Sequence, residues 1–134
     1  MMLNGALEGL VAITAEPLTP GPITAMFIGS IGAIIMYFGT KMLESYGLDD
    51  VVGAIPVHMF AGIFGTLVVP LTNPETSFGT QFIGTASVCI FSFGLSWATF
   101  TILKSTIGLR ISKAAEKLGT DKAEVGVTAY SIRD

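Results

Sequence analysis

The sequence predicts an all-α integral membrane protein with four transmembrane helices. Of its 134 residues, 51% are hydrophobic and only 13% are charged, against roughly 25% charged in a typical soluble domain. Mean hydropathy is +0.70. Three stretches, Pro17–Thr40, Val51–Pro74 and Thr76–Leu103, contain no Asp, Glu, Lys or Arg. Each exceeds the roughly 20 residues that a helix needs to cross about 30 Å of hydrocarbon.

The first apolar segment runs from about Leu3 to Ala15 and is shorter, interrupted by Glu8. No positively charged region precedes it and no small-residue cleavage site follows it, so it is not a signal peptide. Pro17-Leu-Thr-Pro-Gly-Pro22 cannot continue a helix, because prolines lack the N–H donor and restrict the residue before them. The second span, about 22–43, opens on Pro22 at a helix start and closes at the Tyr46-Gly47 turn. Asp49 and Asp50 head the third, about 51–71, where carboxylates suit the positive end of a helix. A polar turn with Asn73, Pro74 and Glu75 leads to the fourth, about 81–107. Gly108 and Arg110 mark its exit, and from Ser112 onward the composition turns to Lys, Glu, Asp and small residues. Residues 1–107 are thus expected in the membrane and 108–134 as a cytoplasmic tail.

Charge orients the spans. With the tail inside, all seven Lys and Arg fall on the inner side, the positive-inside pattern of a cell inner membrane protein with a cytoplasmic C-terminus. A single cysteine, Cys89, excludes a disulfide scaffold. A pI near 5.0 and a net charge of −3 argue against a nucleic-acid partner. Soluble enzyme chemistry has no triad, CxxC, HExxH or phosphate-cradling glycine loop to use. No cofactor is expected.

His58 is the lone histidine, near the middle of the third span and two residues after Pro56. An ionisable side chain there is a functional hypothesis by default, because desolvating it costs free energy. The plainer reading is a neutral imidazole bonded to a hydroxyl or carbonyl of a neighbouring helix, and the residues alone leave both open. A metal site is not expected, since no second ligand stands at suitable spacing. Ala54, His58 and Gly62 recur every four residues and so share one helical face, with Gly65 beside it. That stripe either leaves a narrow lumen beside the imidazole or packs helices closely. Packing is the commoner role for Gly62 and Gly65, as for Gly29 in the small-residue series Ala25, Gly29, Ala33. Glu8, a carboxylate costly in a span unless neutral or paired, is either a substrate or proton site or, the preferred reading, near the cytosolic end of its span, reaching water or a basic partner.

Three stretches resemble the ammonium transporter family, which includes methylammonium permeases and is related to Rhesus glycoproteins. Asn4-Gly5-Ala6-Leu7-Glu8-Gly9-Leu10-Val11-Ala12-Ile13-Thr14 is similar to the family's short glycine-rich span. Asp49-Asp50 with Pro56-Val57-His58-Met59-Phe60-Ala61-Gly62-Ile63-Phe64-Gly65-Thr66-Leu67 resembles the span carrying the second histidine of the family's pore pair. Gly108-Leu109-Arg110, with Glu116, Gly119, Asp121, Gly126, Ala129 and Tyr130, resembles its cytoplasmic tail.

The resemblance implies the last four spans and the tail of an eleven-helix bundle that assembles as a homotrimer with a pore through each subunit. Ammonium or ammonia is then the substrate and the lipid bilayer the surrounding partner. His58 would be a pore imidazole, and Ala54 would line the lumen beside it. Gly108, Arg110, Glu116, Gly119, Asp121 and Tyr130 would belong to a regulatory tail. On this reading the chain is a fragment or truncated product. Several positions depart from the family pattern. Met59 replaces glycine, Gly53 an acidic residue and Glu8 a small one. Lys113, Ala114 and Ala115 occupy an acidic cluster, and Val125-Gly126-Val127 replaces a His-Gly-Glu pattern. The tail departures count against a PII signalling protein as partner. The competing reading is a four-span scaffold or accessory subunit that conducts nothing. An intramembrane enzyme comes last, because a single His without a nucleophile or metal assembles no site.

Overall fold

A computed structural model describes residues 2–129, with side chains from residue 3. The described residues are helical and hold no strand. Five α-helices are present: α1 (Met2–Ile13), α2 (Pro22–Ser45), α3 (Ala61–Thr72), α4 (Phe78–Thr106) and α5 (Lys113–Leu118). Two short π-helices, π1 (Ile55–Phe60) and π2 (Asp121–Val125), complete the set. The chain divides between Ile90 and Phe91 into two compact units.

Among the described residues, three helical stretches are long and apolar enough to cross a membrane: Pro22–Ser45, Ile55–Thr72 and Phe78–Thr106. The protein is an integral membrane protein. Four spans were expected, and the first, about 3–15, is the shorter apolar helix α1. It stops where the Thr14 hydroxyl turns back to donate to the Val11 carbonyl at 2.7 Å, just ahead of the prolines.

Local chemistry explains the other boundaries. Pro22 occupies the first turn of α2, where a missing N–H costs nothing. At its end Gly47 takes φ +69°, the Gly47 N–H donates to the Glu44 carbonyl, and the Leu48 N–H donates to the Leu43 carbonyl. That double bond pattern is a Schellman stop, and its left-handed position favours glycine. In α4, Ser77 caps the start through a Thr80 N–H bond at 3.2 Å. None of its 29 residues is buried.

In the first unit, α1 meets α2 through backbone rather than side chains. A Cβ added at Gly9 would stand 3.4 Å from the Gly29 carbonyl oxygen, and one at Gly29 would stand equally close to Gly9. Gly32 leaves 2.9 Å to the Ala12 Cβ. Gly65 on α3 lies so close to Ala12 that an added Cβ would overlap the Ala12 carbonyl oxygen. Gly39 of α2 accommodates the Phe60 ring. The core is a glycine-lined meeting of α1, α2 and π1–α3, with Ala12, Ile28, Met36, Val57, Ala61 and Val69 buried.

In the second unit the tail folds locally. Ser112 caps α5 by accepting the Ala115 N–H at 3.2 Å. The Arg110 guanidinium grips the Glu116 carboxylate through two nitrogens. Asp121 accepts the Ala129 N–H at 2.8 Å, closing the loop after π2.

Candidate functional site

His58 sits on π1, and the sequence around it dictates that winding. Asp50 accepts the N–H groups of Ala54 at 2.8 Å and Ile55 at 2.7 Å, starting the helix with one carboxylate. Pro56 then contributes no donor and crowds the carbonyl four residues back. The ladder relaxes to five-residue spacing, and the Ala61 N–H reaches the Pro56 carbonyl. π-turns of this kind recur at functional sites.

The same segment is pinned to α1 and α2. The Asn4 amide donates to the Val52 carbonyl at 3.3 Å. It also lies against Gly53, whose φ of +73° and 2.8 Å clearance to Asn4 Nδ2 admit no side chain without strain. Pro56, Val57, Ala61, Gly65 and Val69 form the buried stripe of π1 and α3. Ala54 and His58 are both exposed. Among the described residues the imidazole makes no hydrogen bond.

Three expectations need correction. The face shared by Ala54, His58 and Gly62 assumed an α-helical period, and π1 breaks that period across Ile55–Phe60. Gly62 was read as a packing residue, yet an added Cβ there would meet nothing within 4 Å. Gly29 and Gly65 do make close backbone contacts. Glu8 was expected to reach water or a basic partner. Instead it is 0% exposed, and neither carboxyl oxygen has a hydrogen-bond partner among the described residues. The available signal was its place among Gly5, Gly9 and Ala12, the side of α1 on which the helices approach each other.

The tail residues fall into two contacts. Arg110 meets Glu116, whose carboxyl is held below its ordinary range by the guanidinium hydrogen bonds and then by the positive charge. Asp121 is likewise held low, first by the Ala129 N–H and then by the Lys122 N–H. Gly108 and Gly119 take φ of +79° and +95°, turning the chain on either side of α5. Tyr130 and Arg133 lie outside the described residues. No cluster of three His, Cys, Asp or Glu side chains is placed to hold a metal among the described residues.

Comparison with known proteins gives one consistent result. The chain matches the Ammonium Transporter Family over residues 1–130. It is 38% identical to the ammonium transporter Amt2 of Archaeoglobus fulgidus, over 97% of this chain and 32% of that protein. A putative ammonium transporter of Synechocystis is 37% identical, over 92% of this chain and 25% of its own length. The ammonium transporter Amt2 of Methanocaldococcus jannaschii is 34% identical, over 95% and 32% respectively. The chain thus spans a third or less of the length of these relatives.

Proposed function

Because the chain belongs to the ammonium transporter family, we propose that it forms part of the wall of a pore carrying ammonium or ammonia across the membrane. The observation that carries this reading is the exposed imidazole of His58 on π1, which makes no hydrogen bond among the described residues. A neutral imidazole offers one donor and one acceptor, so it can exchange hydrogen bonds with ammonia or pass a proton without a permanent charge. Ala54, also exposed and four residues earlier, adds only an apolar methyl group to this surface. Such a surface offers hydrated potassium or sodium no replacement for lost water, which favours the nitrogen substrate. Asp50 acts through the backbone, by fixing where π1 begins.

In this reading residues 1–107 lie in the inner membrane, and 108–134 form a cytoplasmic tail on the same side as the 41–50 loop. The assembly is a homotrimer, with Gly108, Arg110, Glu116, Gly119, Asp121 and Tyr130 in the regulatory tail. Docking of a PII protein is left out, because Lys113–Ala115 and Val125–Val127 depart from the pattern it would need. A non-conducting scaffold is not favoured by the relatives.

The test is uptake of labelled methylammonium, in cells deleted for their own transporters, by the protein in its native gene context. His58→Ala and His58→Glu should each reduce uptake roughly tenfold or more at equal membrane abundance. That is the loss of about one hydrogen bond, ~1.4 kcal/mol, at the barrier. Unchanged uptake in both variants removes His58 from the pore.

A further inference from the structure

Glu8 is the one charged-type side chain buried among the described residues, at 0% exposure. Neither of its oxygens has a hydrogen-bond partner. It lies on α1 just before Gly9, which packs against Gly29, and one turn before Ala12, whose carbonyl abuts Gly65, while a Cβ added at Gly32 of α2 would stand 3.4 Å from the Glu8 carbonyl oxygen. Its surroundings supply no counter-charge. On α2, Tyr37 is 46% exposed, and Lys41 pairs with Glu44 at 3.6 Å on the surface. On π1, His58 is exposed, and α3 carries no titratable residue. Glu16, beyond the end of α1, is engaged by the Asn73 amide at 3.0 Å.

A carboxylate ion in that position has no donor or cation among the described residues to replace its hydration, the costliest arrangement for a buried charge. The neutral acid loses far less on burial. Water reaches the group only if α1 moves away from the glycines of its neighbours.

We propose that Glu8 is a proton site that latches the packing of α1 against α2 and α3. With the proton on, the helices close through their glycine contacts. When the O–H bond breaks, the electron pair stays on the carboxylate, the proton passes to entering water, and α1 loosens. The closed form holds one proton more than the open form, so raising the pH favours opening, by at most about tenfold per pH unit. The inference concerns helix packing and does not depend on conduction, so inactive His58 variants would leave it standing.

The test compares the chain with its Glu8→Gln variant in phospholipid nanodiscs, in ammonium-free buffer from about pH 5 to pH 9. Amide hydrogen exchange of α1 is read as the wild-type to variant ratio, which cancels the intrinsic pH dependence of exchange. The ratio should climb toward tenfold per pH unit in the upper range for α1 peptides and stay flat for α4 peptides. Infrared spectra of the wild type alone should show a protonated-carboxyl stretch that disappears over the same range. A flat α1 ratio, or a carboxyl band that ignores pH, overturns the proposal.

Discussion

Gly62 and Gly65 lie one turn apart on α3, and changing each to alanine should give different results. Both substitutions add one methyl group and gain the same helix preference, up to about 1 kcal/mol. Their difference therefore isolates what the methyl meets. At Gly62 it meets nothing within 4 Å. At Gly65 it overlaps the Ala12 carbonyl oxygen and stands 2.9 Å from the Ala12 carbonyl carbon and 3.0 Å from its Cα. These are backbone atoms of a helix and cannot rotate aside, so α1 has to retreat. To restore ordinary carbon separations of about 3.5–4.0 Å, the retreat is roughly 1 Å, and a gap of that size forfeits a quarter to a half of each dispersion contact. Overpacking of this kind costs about 1–3 kcal/mol, and an immovable backbone obstacle places Gly65→Ala in the upper half. Unfolding of the chain by SDS titration in mixed micelles should rank Gly62→Ala above Gly65→Ala by roughly 2 kcal/mol. If the two agree within about 0.5 kcal/mol, the level of a neutral surface change, the α1–α3 contact does not exist as described.

Asp50→Ala removes the acceptor for two helix-starting N–H groups. It should lower stability by about 1–2 kcal/mol, as loss of a helix cap does, and reduce methylammonium uptake by letting π1 fray below His58. Asp50→Asn, which keeps one acceptor oxygen, should fall between, and wild-type uptake and stability in Asp50→Ala would count against the positioning role. For the tail, the Glu116 carboxyl is depressed by Arg110, so the pair contributes above the ordinary carboxylate range and its contribution is lost as pH falls through the lowered value. Amide shifts of Ala114 and Ala115 in an acid titration should therefore show α5 loosening in the wild type. Glu116→Gln should remove that step, and an unchanged titration would show that the ion pair does not hold α5.

Much of the fold was legible because it depends on local, additive properties. The long uncharged runs identify the membrane helices, and Pro22 and Gly47 mark the ends of α2. His58 could be singled out by residue type and place alone. The winding around it was harder to read. Pro56 was visible, but an α-helical period was assumed across it, and only the Ala61 to Pro56 bond shows that the register slips. The glycines were alike in sequence. Gly29 and Gly65 make contacts because α1 lies against them, whereas Gly62, on the same helix as Gly65, meets nothing within 4 Å.

Composition and hydropathy by themselves determined that this is an all-α membrane protein, since transfer into lipid is summed residue by residue along a span, and the family resemblance came from three short motif stretches. Which side of each helix meets another was decided only by tertiary structure. Burial depends on atoms brought together from 8, 12, 32 and 65, far apart in the chain. Glu8 shows the consequence: the sequence allows it water or a basic partner, and helix packing leaves it neither.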